Sequence, residues 1–351
     1  MKRWQSMILV ALMVLSALTV GSCGKKSNAG KNGRVVVFNW GDYIDEDVID
    51  MFEEETGIDV VYATFDSNEA MYAKVKSGGG YDVLFPSDYM IERMYNEGML
   101  QPINMENVPN AVHIDERFKG LDYDPNDEYS VSYMWGTIGI MYNTEMVTGP
   151  VDSWDILWDP AYAKQIFMYD SQRDALAAAM KRLDYSLNTC DPVELAAARD
   201  SLIEQRPLVQ AYISDSIKDK MINNEGALAL TYSGDLLYCL KENPNLAFSI
   251  PKEGANLWFD GMVIPKDAKN KENAEAFINF MCRPEIAAMN SEYIGFTTTN
   301  KDALEFVDKE MAEHPIYWPD DETLERCQVF RDLGDFRKEY EEAWNAVFYK
   351  N

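Results

Sequence analysis

Short apolar, β-branched runs alternate with amphipathic helical stretches in this chain. That alternation points to βαβ units and a parallel sheet with helices laid against it. Val35–Trp40 reads as a buried strand, and a helical pattern follows over Asp45–Glu55. Gly57 stands where a helix commonly ends in a left-handed residue. Ile58–Phe65 is strand-like, Asn68–Ser77 helical, Asp82–Phe85 a short strand, and Tyr89–Asn96 a helix ending before Gly98. The middle of the chain repeats the theme, with strands expected at Gln165–Tyr169, Val209–Tyr212, Ala227–Thr231 and Leu246–Ile250. Asp191-Pro192-Val193-Glu194 marks a helix start, with an acceptor at the N-cap, proline at N1 and a carboxylate at N3. A strand near Met262–Ile264, helices at Asn273–Met281 and Glu285–Tyr293, and a helix from Asp335 complete an α/β pattern expected to form two sheets.

A length of 351 residues allows two domains, each with its own core. The formal charge of −27 argues against nucleic acid, whose phosphates need a basic footprint, and suits a cationic ligand. Catalytic signatures are missing. His113 and His314 sit in no H-E-x-x-H motif, and neither a G-x-S-x-G elbow nor a G-x-x-x-x-G-K-[ST] loop occurs. Gly78-Gly79-Gly80 lies between a helix and a strand, the wrong order for a phosphate cradle. Asp122–Asp127 echoes a calcium loop, but Asp127 takes the place of the required glycine and Tyr133 that of the final glutamate. The chain is therefore expected to be no enzyme and to need neither metal nor cofactor.

Lys2 and Arg3 precede apolar runs at Met7–Leu15 and Ala17–Val20, too short to span a bilayer and fitting a secretory signal. The segment ends in Val20-Gly21-Ser22-Cys23, which resembles the lipobox of bacterial lipoproteins. It implies a signal peptide over residues 1–22, lipidation at Cys23, and a tether over residues 23–33 rich in Gly, Lys, Asn and Ser. Cys190, Cys239, Cys282 and Cys327 form no C-x-x-C pair, and both free thiols and a disulfide remain open.

Phe38-Asn39-Trp40-Gly41-Asp42-Tyr43 resembles the polyamine-binding receptors of bacterial ATP-driven uptake systems. The resemblance continues through Ser67–Lys74, Tyr81–Ser87, Tyr133–Thr137, Ser153–Trp158, Ile250–Ala255 and Asp267–Lys271. It implies a two-lobed periplasmic-binding-protein-like fold of type II, each lobe a central mixed sheet flanked by helices. Residues 34–139 with 261–304 would form one lobe and residues 140–260 with 305–351 the other, with Tyr129–Tyr142 holding the first crossing. The function implied is an extracytoplasmic, lipid-anchored and monomeric receptor that delivers a polyamine to a permease and its ATPase. A sugar, thiamine or iron receptor of the same fold is the alternative.

A polyamine needs carboxylates for its ammonium groups and aromatic walls for its methylenes. The resemblance assigns Trp40 and Tyr43 as walls and Asp42 to an ammonium, with Ser87 and Tyr89 adding a hydroxyl and a ring. Asp174 falls where the family has a glutamate meeting an end amine. Tyr232 and Asp235 replace a tryptophan-containing segment, Trp258 lies along the alkyl chain, and Asp260 is the central carboxylate. Ser171, Phe296 and Phe330 stand where spermidine receptors carry aspartate, tyrosine and glutamine. Phe296 is still counted as a contact. Asp235 resembles the putrescine receptors, Tyr89 and Trp258 the spermidine kind, and the balance leans to putrescine.

Overall fold

The computed structural model describes residues 30–349. The expected signal peptide, Cys23 and residues 24–29 of the tether lie outside the described residues. The strands are β1 Arg34–Trp40, β2 Asp59–Phe65, β3 Val83–Leu84, β4 Ser130–Asn143, β5 Ile166–Tyr169, β6 Val209–Ile213, β7 Leu228–Tyr232, β8 Leu246–Ser249, β9 Leu257–Val263 and β10 Thr297–Thr298. The first helices are α1 Glu46–Thr56, α2 Asn68–Lys76, α3 Asp88–Asn96, α4 Gln172–Arg182, α5 Pro192–Gln205 and α6 Ile217–Ile222. After them come α7 Ser233–Leu240, α8 Lys271–Met281, α9 Pro284–Ile294, α10 Lys309–Ala312, α11 Asp321–Glu325 and α12 Arg337–Phe348.

Local chemistry sets the helix ends. The Asp45 carboxylate caps α1 by accepting from Asp47 N, and Gly57 closes the same helix at φ +69°, a conformation that costs a residue with a Cβ. Asp191 caps α5 by accepting from Val193 N at 2.7 Å.

The two expected sheets are continuous. One ten-stranded sheet runs β2-β1-β3-β9-β4-β7-β5-β6, with β8 and β10 also paired to β4. Each end is a parallel trio, β2-β1-β3 and β7-β5-β6, and antiparallel β9 and β4 join the trios. β4 makes the join because it is 14 residues long and buried over nearly its whole length. Its first part pairs β9 as far as Thr137–Leu257, and its second part pairs β7 from Ile138–Tyr232 onward. The molecule has two halves, each with a buried cluster of its own. One is built on Val37, Phe52, Leu84, Ile91 and Phe277, the other on Trp154, Ile166, Leu176, Leu202 and Leu228.

Three expected boundaries shift. The second crossing was expected at Asp260/Gly261, but Ala255 belongs to the second core while Trp258 and Phe259 belong to the first. The third was expected at Leu304/Glu305. Residues beyond it still hold to the first half: Thr297 Oγ1 donates to Tyr317 O at 2.6 Å, and the Trp318 ring meets Trp135 at 5.3 Å. The chain returns to the second core only near Cys327 and Leu333. The tether was expected to reach Gly33, yet Asn32 N already donates to Gly57 O at 2.9 Å. Aromatic and hydroxyl anchors fix these segments, and composition does not register them. Cys190, Cys239, Cys282 and Cys327 are all free thiols.

Candidate ligand site

In an open parallel sheet, ligands settle beyond the carboxyl ends of the strands where the strand order reverses. β1 lies between β2 and β3, and β5 between β6 and β7, so each half has such a point. Trp40 ends β1 and the loop after it carries Asp42 and Tyr43, while Ser87 follows β3 and Tyr89 lies in the first turn of α3. Asp174 follows β5 in the first turn of α4, and Tyr232 and Asp235 flank the junction of β7 with α7. β9 runs antiparallel and brings Trp258 and Asp260 to the same crevice.

Four rings and two carboxylates meet there. Tyr43 Oη donates to Asp260 Oδ2 at 2.7 Å, and Tyr232 Oη donates to Asp174 Oδ2 at 2.8 Å. Between these tyrosines the rings touch in sequence: Tyr43 with Phe296 at 6.0 Å, Phe296 with Trp258 at 5.1 Å, and Trp258 with Tyr232 at 5.9 Å. All three pairs are edge-to-face. The aromatic row therefore runs from one carboxylate to the other and crosses between the halves. Asp174 and Asp260 are 4% and 5% exposed. Asp174 Oδ1, Asp260 Oδ1 and Trp258 Nε1 are buried and make no hydrogen bond.

Buried carboxylates with an idle oxygen are costly, and their acidity records it. Burial pushes Asp260 up to about 6, while the hydroxyls of Tyr43 and Ser87 hold it down. Burial likewise raises Asp174, opposed by Ser171, Tyr232 and the nearby Arg173 cation. Asp88, beside Asp260, is also raised by burial, but it accepts from Phe259 N at 3.0 Å and Tyr89 N at 2.7 Å. Such a set can neutralise positive charge in a dry, ring-lined space. It holds no nucleophile–base pair, and no group of metal-binding side chains occurs among the described residues.

Not every expected contact joins this row. The Trp40 ring packs on Phe65 at 4.6 Å and its indole N–H donates to Phe85 O at 2.8 Å. Asp42 is exposed at the rim. Asp235 serves helix structure through one oxygen: its Oδ2 accepts from Thr231 Oγ1 and from Tyr232 N, closing the first turn of α7, and these bonds leave Oδ1 unused. Ser87 Oγ accepts from Asn68 Nδ2 at 3.0 Å beside Asp260, and Tyr89 Oη donates to Glu69 at 3.1 Å. Two contributors escaped sequence reasoning. Tyr133 sits where the β4–β9 register slips between Ser132 and Met134, and the bulge sends its hydroxyl to Tyr43 O at 3.0 Å. Arg173 lies 4.3 Å from the Phe330 ring and 5.3 Å from that of Tyr89. Its position next to Asp174 was the only available signal.

Two sheet halves meeting over a buried, charge-bearing crevice define a ligand-capturing receptor. The chain belongs to the bacterial extracellular solute-binding protein family, whose model matches residues 47–318. It is 35% identical over 350 residues to the spermidine/putrescine-binding periplasmic protein of Salmonella typhimurium, covering 99% of both chains. Among solved structures it is similar to a spermidine/putrescine ABC transporter substrate-binding protein from Streptococcus pneumoniae: 41% identity, TM-score 0.79, 90% of this chain and 98% of that one. A lipoprotein of Treponema pallidum matches at 28% identity and a TM-score of 0.82, over 90% of this chain and 99% of that one.

Proposed function

We propose that this chain captures a linear polyamine between its halves and passes it to a membrane permease driven by an ATPase. One observation carries the reading: Asp174 Oδ1 and Asp260 Oδ1 are both buried without a partner, at the two ends of one aromatic row. A ligand with an ammonium at each end and methylenes between satisfies both carboxylates and lies along the rings. An uncharged sugar would leave both charges uncompensated. The family's role in solute uptake and the polyamine names of its relatives point the same way.

Putrescine is the preferred ligand in this proposal. Asp235 supports that preference through its Oδ1, since only Oδ2 is bonded within α7. Ser171 and Phe330 support it too: the Ser171 hydroxyl is used to cap α4, accepting from Asp174 N at 3.4 Å, and the Phe330 ring lies under Arg173. Phe330 offers a third ammonium no oxygen, and the Ser171 hydroxyl offers it no negative charge. Asp42 at the rim is assigned to the entering amine, with Trp40, Ser87 and Tyr89 lining the approach. The two halves act as lobes, and ligand contacts made by both shift the population toward the closed form.

Calorimetric titration with putrescine, cadaverine, spermidine and spermine tests the reading. One diamine per chain is expected to bind, with affinity falling up to about tenfold per pH unit below about 6 as protons compete for Asp260. Absence of heat with all four amines would overturn the assignment.

The chain is further proposed to be held at the outer face of the cell membrane through acyl groups on Cys23. Support comes from the Val20–Cys23 motif and from the similar lipoprotein of Treponema pallidum. No helix among the described residues is long and apolar enough to cross a membrane. Cys23→Ser is expected to move the protein from the membrane fraction to the soluble one. Unchanged fractionation would refute the anchor.

A further inference from the structure

Arg331 lies in the segment that returns to the second half, and three hydrogen bonds tie that segment there. Leu187 N donates to Gln328 Oε1 at 3.0 Å, Asn188 Nδ2 to Val329 O at 2.8 Å, and Arg331 N to Asn188 Oδ1 at 2.9 Å. The Arg331 side chain nevertheless reaches across to the first half. Its Nε and Nη2 grip the Glu92 carboxylate on α3 at 3.1 and 2.6 Å, and its Nη1 reaches Asp122 at 2.7 Å. The backbone joins in, since Asp332 N donates to Glu92 Oε2 at 2.8 Å. Glu92 thus receives a two-pronged guanidinium and a peptide N–H together, the geometry in which an ion pair is strongest.

The same segment is wired to the ligand site. Arg173, adjacent to Asp174, donates through Nη1 to Arg331 O at 3.3 Å and through Nη2 to Asn188 Oδ1 at 3.1 Å. We propose that Arg331, gripping Glu92 and Asp122, is a latch that holds the halves together and slows ligand escape, with Arg173 linking it to the Asp174 end of the site. Arg331 is a positioning residue here: it touches no ligand, and its effect passes through closure. The retention of a polyamine rests on the function proposed above. The closing action itself does not.

The latch has consequences that simple fold maintenance lacks. Both halves keep their cores when it is cut, so melting of the ligand-free protein changes little. The closed population falls, so the ligand leaves faster. The grip is electrostatic and partly exposed, with Glu92 16% and Arg331 40% accessible at the side chain, so salt weakens it.

The experiment compares the full mature chain with Glu92→Gln, Arg331→Gln and the exchanged pair Glu92→Arg/Arg331→Glu. Stopped-flow release of putrescine is expected to quicken on the order of tenfold in each single variant and to recover in part in the exchanged pair. Raising salt from 50 mM to 500 mM should speed release in the wild type more than in Glu92→Gln, where only the pair with Asp122 remains. Ligand-free small-angle scattering is expected to show a larger radius of gyration for Glu92→Gln than for the wild type. Unchanged release and scattering in both single variants would overturn the latch. If the wild type binds no polyamine, the scattering comparison still decides the latch, and only the proposed function falls.

Discussion

Asp260→Asn is expected to weaken polyamine binding by about thirtyfold or more and, at the same time, to make the ligand-free protein harder to melt. Asp260 is buried and titrates at about 6, well above the 3.8 of a free aspartate. Its folded-state value is raised, so its contribution to stability is largest below about 3.8 and is lost as pH rises through about 6. At neutral pH the buried charge costs about 3 kcal/mol, since each pKa unit corresponds to roughly 1.4 kcal/mol. Asparagine removes that cost while keeping an oxygen for the Tyr43 hydroxyl. Melting at pH 7.5 is therefore expected to rise by roughly 2–6 °C. At pH 4.5, where the native carboxyl is already protonated but the unfolded one is mostly ionised, the gain should fall to about a third. The same change leaves one ammonium of a buried ligand unpaired, a loss of roughly 2–5 kcal/mol, or about thirtyfold to several thousandfold in Kd. Calorimetry and thermal melts on one sample check both. Wild-type affinity in this variant would remove Asp260 from the site, and a lower melting temperature at neutral pH would refute the electrostatic account.

The next largest effect is expected from a single methyl group. Gly234, in the first turn of α7, faces Gly295 and Phe296 of the other half at very close range. A Cβ at Gly234 would lie 1.7 Å from Phe296 Cδ1 and 2.8 Å from Gly295 O, so the halves could not meet as they do. Alanine suits a helix better than glycine, and the second half gains slightly from it. Gly234→Ala is thus expected to melt within about 2 °C of the wild type yet bind roughly ten- to hundredfold more weakly, the ring at Phe296 having been pushed from its place. Scattering with saturating putrescine should remain close to the ligand-free profile. Tight binding with normal compaction would show that the crevice closes without this contact.

The strand–helix alternation was readable because periodicity and caps are local. Val35–Trp40, Gly57 and Asp191 lie where their side chains alone would put them. The resemblance carried more of the site. It brought Asp174, Tyr232, Trp258, Asp260 and Phe296 to one list, and the fold brings those five residues together. Other features depend on long-range register. Asp235 was open to two uses, ligand carboxylate or cap, and the bond from Tyr232 N to its Oδ2 shows the cap while leaving Oδ1 for the other. Tyr133 enters because of a one-residue bulge, which no pattern of types announces. The grip of Arg331 on Glu92 joins positions 239 residues apart, and one sequence read alone contains no trace of it.

A single strand, β4, is shared between the two halves, and this bears on how the molecule can be dissected. A fragment ending at Thr137 would lack β9, the strand that carries Asp260 and shields the edge of β3. A fragment starting at Ile138 would own β9 but lose the stretch of β4 on which it is laid. Neither piece is a folding unit, so truncation from either terminus removes both halves at once, and complementation between co-expressed fragments would require them to rebuild one strand from two chains.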